Sequence, residues 1–295
     1  MLERGWLSSN NIVLHDSADS GTVVDSGYVS HAAQTVALVR HALEGRRLER
    51  LVNTHCHSDH IGGNAALAHA FGCTIAIPAG EACNVAEWNT EALHLDGFGQ
   101  RCERFSFDST LRSGDSLAMG GLQWQAIAAP GHDMDALVLH APEARILISA
   151  DALWENGFGV LFPELYGERG LAATRATLDR IATLDVDIVI PGHGPVFGNV
   201  GAALERAYAR VEAFERDPER VTRNAFRALL VFYLLDRQAA GFDELADLLR
   251  QASFFAMLNA RSYRLEPGAL AQKLVGELAA AGVLTVDAGV VRPAA

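Results

Sequence analysis

The stretch Thr54-His55-Cys56-His57-Ser58-Asp59-His60 carries the pattern His-x-His-x-Asp-His. With 11 histidines among 295 residues, chance yields this pattern in roughly one chain per thousand of this composition. Imidazoles and a carboxylate packed this closely are the donor set that a borderline-soft divalent metal prefers. The cluster follows a short apolar strand, Leu51–Asn53, and precedes a helical stretch, Ala65–Ala70. Gly62-Gly63 allows a sharp turn between them, so neighbouring side chains can point into one cavity. Cys56, between two of the histidines, reads as a spacer.

Outward from the cluster, three more ligand-type residues stand at the ends of apolar strands. His132 follows Ala129-Pro130-Gly131, Asp151 follows Ile146–Ala150, and His193 lies in Pro191-Gly192-His193-Gly194-Pro195 after Ile188–Ile190. A single turn histidine is usually structural. Three such residues in one setting, alongside the cluster, point to a shared site. No Gly-x-Ser-x-Gly elbow and no glycine-rich phosphate loop occurs. His15, His31, His41, His69 and His140 have no ligand spacing.

Short strands alternate with helical stretches up to about residue 200. Asn11–Leu14, Thr22–Asp25 and Thr74–Ile77 read as strands and Ala32–Leu43 as a helix. Leu122–Ala128, Leu137–His140 and Ile146–Ser149 read as successive strands, followed by a helix over Leu171–Leu184. Residues 79–115 read as a helix and a long surface loop, with Trp88 and His94 as lid candidates. After about residue 199 the pattern turns helical. Leu229–Leu235 reads as a core or dimer helix, and the end as helix Pro267–Ala281 and a hairpin over Val283–Arg292. The expected division is residues 1–200 as a mixed α/β metal-binding catalytic domain and 201–295 as a helical C-terminal domain.

The formal charge is −12, and all of that excess lies in residues 1–200. The helical part is neutral and has no basic stripe. A DNA or RNA partner is therefore excluded as an expectation. No run reaches the ~18 apolar residues of a membrane span, and the N-terminus has no basic start followed by an apolar run. Four cysteines (Cys56, Cys73, Cys83, Cys102) form no Cys-x-x-Cys pair, which fits reduced thiols in the cytoplasm.

Over about residues 10–200 the chain resembles the metallo-β-lactamase superfamily. The motifs are Asp25 in Val-Val-Asp-Ser-Gly, the His55–His60 cluster, His132, Asp151 and His193, in the family's order. The resemblance implies an αββα sandwich with the metal site at one edge of two sheets, followed here by a helical, winged-helix-like extension. It implies His55, His57 and His132 as ligands of one metal and Asp59, His60 and His193 as ligands of a second. Asp151 would bridge both, and Asp25 would orient a ligand from behind. Asp59 and Asp151 are then the catalytic carboxylates.

An aspartate at the bridging position argues against a dedicated antibiotic-degrading enzyme, and His57 argues against the di-iron flavoprotein branch. What remains is similar to glyoxalase II-like hydrolases. The chain departs from glyoxalase II after His132, with Asp133-Met134-Asp135-Ala136, and after His193, with Gly194-Pro195. The basic residues that bind glutathione in that family have no matching positions.

The expected function is hydrolysis of a small-molecule ester, thioester or lactone by hydroxide held on two divalent ions. Zinc is the expected metal, with manganese or iron as alternatives. Trp154, Phe158 and Phe162 are candidates for the substrate pocket, and Phe254 and Phe255 for the helical residues nearest the cleft. No nucleic acid and no membrane are expected as partners, and a homodimer fits the apolar helix. The alternatives are a mononuclear iron persulfide dioxygenase-like oxidoreductase and a non-enzymatic, metal-binding docking protein.

Overall fold

A strand with apolar side chains on both faces can only be an inner layer, because each face needs its own covering. The computed structural model, which describes residues 1–294, places two five-stranded sheets face to face. The first consists of β1 (Ile12–His15), β2 (Ser20–Val24), β3 (Arg47–Val52), β4 (Thr74–Pro78) and β5 (Ser109–Leu111), in that order. β1 and β2 are antiparallel, and β2 to β5 run parallel. The second comprises β6 (Ser116–Met119), β7 (Leu122–Ala128), β8 (Leu137–Ala141), β9 (Ile146–Ala150) and β10 (Ile188–Pro191), with β9 and β10 parallel.

Alternation along each strand sorts the side chains into two sets. Val24, Val52, Ala76, Leu137, Leu139 and Ile148 point between the sheets and pack with Trp124. Their neighbours Val23, Leu51, Ile75 and Ile77 point outward under helices α1 (Ala32–Leu43), α2 (Ser58–Ile61), α3 (Asn64–Phe71) and α4 (Ala82–Glu87). On the far side, Val138, Leu147 and Val189 meet α5 (Phe162–Leu165) and α6 (Gly170–Ala182). The layers are therefore helices, sheet, sheet, helices.

The rest of the chain forms α7 (Val200–Arg216), α8 (Glu219–Arg237), α9 (Phe242–Gln251), α10 (Ser253–Leu258) and α11 (Pro267–Ala280). A small sheet closes it, with β13 (Val290–Pro293) between β11 (Ala240–Gly241) and β12 (Leu284–Asp287). The helix and hairpin at the C-terminus lie where the sequence placed them. One apolar cluster runs without a break from Leu147 and Val189 through Ala207 and Phe226 to Leu274, so the helical part packs onto the α5 and α6 layer of the second sheet.

Residues 79–115 differ in part from the sequence reading. The helix forms as α4, and residues 101–110 run mostly exposed, but the stretch between them is no surface loop. Leu93, Leu95 and Phe98 are buried, and Phe98 stacks on Phe254 of α10 with ring centroids 4.2 Å apart. β5, β6 and β11 were also not anticipated. They have three, four and two residues, too few for a periodicity to register, and exist through their pairing with β4, β7 and β13.

Candidate metal centre

The site residues follow the C-terminal ends of strands, with Asp59 and His60 on α2 after β3, at one shared edge of the two sheets. β2 delivers Asp25, β3 delivers His55 to His60, β7 delivers His132, β9 delivers Asp151 and β10 delivers His193. Two of these exits are tight: Asp25 and Ala150, just before Asp151, have φ of 57° and 45°, a conformation side chains other than glycine rarely adopt.

Donor atoms of His55, His57 and His132 lie within 4.8 Å of one another, and so do those of Asp59, His60, Asp151 and His193. All seven side chains are buried. Asp151 faces both groups: its Oδ1 is 3.4 Å from His60 Nε2 and its Oδ2 3.5 Å from His132 Nε2. His193 Nε2 is 3.0 Å from Asp59 Oδ2.

Protein groups behind the imidazoles set their orientation. His60 Nδ1 donates to Asp25 Oδ2 at 2.8 Å. Asp25 also accepts from the backbone N–H and the hydroxyl of Thr54, at 2.9 and 2.8 Å. His132 donates from Nδ1 to the Val160 carbonyl, which turns Nε2 toward Asp151. Two glycines make the fit possible. A Cβ on Gly159 would lie 2.5 Å from His132 Nδ1, and one on Gly192 2.1 Å from Asp151 Oδ1.

Burial, reinforced by His60 and His132, pushes His55 well below the ordinary imidazole range. Burial and then His132 do the same to His57. For His60 burial works the other way from its surroundings, but Asp25, Asp151 and Asp59 prevail and hold it well above that range. Asp151 is held well below the carboxylate range, because His193, His60 and His132 outweigh its burial. His55 Nε2 and His60 Nε2 are buried with no hydrogen-bond partner among the described residues. Buried polar atoms of this kind are rare without an occupant. Together with the nitrogen and oxygen donor set, they fit two adjacent divalent metal ions.

The family follows from this order of residues and this sheet edge. A sequence profile described as "Metallo-beta-lactamase superfamily" matches residues 4–193. The chain belongs to the metallo-beta-lactamase superfamily. Within this superfamily it is 30% identical over 161 residues to a hydroxyacylglutathione hydrolase of Rhizobium etli (strain CFN 42), covering 54% of each chain. A hydroxyacylglutathione hydrolase of Rhizobium meliloti (strain 1021) is 29% identical over 197 residues, 65% of each chain. The chain thus spans about half to two thirds of the length of these curated relatives. A beta-lactamase domain protein from Burkholderia ambifaria shares the fold, with a TM-score of 0.60 at 22% identity over 97% of this chain and 88% of that one.

The metal groups of this superfamily member open into a cavity of about 360 Å³. Trp154, Phe158 and Phe162 line it. The wall also includes Trp6 and Phe232, which the sequence reading does not single out, and His94, one of its two lid candidates. Trp6 stacks on His193 with centroids 5.5 Å apart, and His94 Nδ1 is 3.1 Å from His57 Nε2. Phe232 of α8 lies 6.3 Å from the His193 ring. The run Leu229–Leu235 is therefore divided: Leu230 and Leu234 are core, while Leu229, Val231 and Phe232 form cavity wall. Phe254 and Phe255 do not line the cavity. Phe254 packs on Phe98, and Phe255 on Phe226. Of the two lid candidates, His94 joins the site and Trp88 packs on Phe105 in the outer core. No local signal marks Trp6 or Phe232, because each reaches the site from a different element.

Proposed function

We propose that the chain is a hydrolase dependent on two divalent metal ions, acting on a small-molecule ester, thioester or lactone. The observation that carries this reading is Asp151, whose carboxylate reaches both donor groups: His132 of the one, and His60 and His193 of the other. His55, His57 and His132 would hold one ion, and Asp59, His60 and His193 the other, with Asp151 shared. Zinc suits this set best. When bound, such a pair supplies Lewis acidity toward a carbonyl oxygen and a water acidic enough to ionise near neutral pH.

The chain's own residues supply the rest. Asp25 and the Val160 carbonyl set which nitrogen of His60 and of His132 faces the ions. Asp59 and Asp151 bring negative charge that offsets the cations and keeps their ligands oriented. Phe158, Phe162 and Phe232 exclude water from the approach to the site, which strengthens electrostatic interactions there. In this reading residues 1–200 carry the metal chemistry and residues 201–295 supply the outer cavity wall. Similarity to hydroxyacylglutathione hydrolases supports a thioester or ester as the scissile bond. A complete second donor group disfavours a one-iron oxidoreductase, and the open cavity disfavours a purely structural metal.

Metal analysis and a hydrolysis screen over thioesters, esters, lactones, phosphoesters and β-lactams test the proposal. Two ions per chain and chelator-sensitive turnover of an acyl substrate are expected. A single iron per chain with oxygen consumption would replace the hydrolase by the oxidoreductase.

A further inference from the structure

The cavity has a cationic wall that the metal chemistry does not use. Two arginines line it, both from the helical part. Arg227 is paired with a carboxylate, that of Glu277 at 3.0 Å, which it shares with Lys273. Arg210 is not: its guanidinium donates from Nη1 to the Phe158 carbonyl at 2.9 Å and from Nη2 to Asn224 Oδ1 at 3.1 Å, and both acceptors are uncharged. It lies over the Phe158 ring, 4.7 Å from the centroid. Burial alone lowers its pKa to about 10, with no carboxylate opposing the shift. Arg210 is half-buried, and a cation partly withdrawn from water without a counter-charge is costly to the fold, so its place on a cavity wall points to an occupant.

The chemistry of Asn224 sharpens the point. A guanidinium only donates hydrogen bonds, so Asn224 must turn its oxygen to Arg210 and leave its Nδ2 as a free donor. Among the described residues nothing accepts from that nitrogen. Arg210 and Asn224 thus present donors and no acceptor to the cavity. Their neighbours Phe158, Leu229, Val231 and Phe232 offer no polar side-chain atom. The backbone also ties this corner to the metal groups. Arg210 holds the Phe158 carbonyl, and two residues on the Val160 carbonyl holds His132. Two residues span at most about 7 Å of chain.

We propose that Arg210 and Asn224 form an anion-reading subsite, and that the substrate is an acyl compound with a short apolar body ending in one carboxylate. This rests on the hydrolase reading for the scissile bond, but the subsite can be tested apart from it. Arg210 would hold the carboxylate by charge-assisted hydrogen bonds, with the apolar body against Phe158 and Phe232 and the acyl carbonyl toward Asp151.

The probe pair is adipic acid monoanilide and its methyl ester. The two have the same apolar body, an amide in place of the labile bond, and differ by one negative charge. Calorimetric titration of the zinc-loaded full chain at pH 7.5 should show the acid binding at least about tenfold more tightly than the ester. In Arg210→Met, with both metal ions per chain still bound, the preference should fall below about twofold. Equal affinities for the two probes in the wild-type chain would overturn the subsite, and so would a preference that survives Arg210→Met. If Arg210→Met does not fold, the wild-type pair still decides, and Asn224→Leu, which leaves the guanidinium in place, should weaken the preference several-fold. The corresponding thioesters separate the two readings. An anion preference in binding without turnover keeps the subsite and removes the hydrolase. Equal turnover of both thioesters, with equal binding, keeps the hydrolase and removes the subsite.

Discussion

Asp25 Oδ2 sits 2.8 Å from His60 Nδ1, with both side chains shielded from water. That contact fixes which imidazole nitrogen faces Asp151. It also fastens the end of β2 to the histidine loop, because the same carboxylate takes the Thr54 N–H and hydroxyl. Asp25→Ala should therefore leave three donors unpaired and weaken metal affinity by about 10–100-fold. Competition with a calibrated chelator measures this. An unchanged affinity would remove Asp25 from the support of the site.

Gly159 and Gly192 are expected to tolerate no side chain. Gly159→Ala drives a methyl group into the His132 ring and should release the ion held with His55 and His57. Gly192→Ala drives one into Asp151, which serves both groups, and should release both ions. Metal content per chain, measured on protein whose circular dichroism matches the wild type, distinguishes one lost ion from two.

Glu81 supplies a pH dependence that lies outside the ligand set. Burial first, and then the neighbouring Asp133, push its carboxyl from 4.5 up to about 8, while Asn84 works against the shift. The unfolded chain gives up this proton near 4.5 and the folded chain holds it to about 8. Between those values the folded state binds the extra proton, so stability falls as pH rises through the window and levels off above it. Glu81→Gln keeps the shape without the titration. Its melting temperature should fall less than that of the wild type between pH 5 and pH 8, in matched zinc-loaded samples. Parallel curves for the two proteins would show that Glu81 does not carry the effect.

Phe232 should matter to substrate and not to metal. Removing a ring that covers a bound apolar body forfeits on the order of 1.5 kcal/mol, about a tenfold loss in kcat/KM. Phe232→Ala should show that loss with two ions still bound. A loss of metal instead would mean that α8 supports the site and does not line it.

The metal centre was largely legible because its residues carry their own signature. His55, His57, Asp59 and His60 are adjacent in sequence, and His132, Asp151 and His193 each follow an apolar strand that ends at a glycine, proline or small residue. Catalytic side chains of one type at repeated strand ends imply a common sheet edge, since parallel strands finish on the same side. The cavity was much less legible. Trp6, His94, Arg210, Asn224 and Phe232 come from four separated segments, the last two from α8, and nothing local distinguishes Phe232 from the core residues Leu230 and Leu234 on the same helix. Residues 79–115 were misread in part for a related reason: the covering of Phe98 by Phe254 links positions 156 apart in sequence, and no local pattern reports it.

The sequence by itself determined most of the longer strands, the ligand-type residues at their ends, the acidic character of the first 200 residues and the largely helical nature of the rest. These depend on side-chain alternation and on chemistry between near neighbours, which a linear reading can follow. Only the tertiary structure decided that α8 turns one face to the donor groups, that Asp151 stands between two donor sets, and that Arg210 stands half-buried on the cavity wall without a counter-charge. Those facts arise from packing between distant elements, where burial sets the cost of a charge and a displacement of a few ångströms separates a ligand from a bystander.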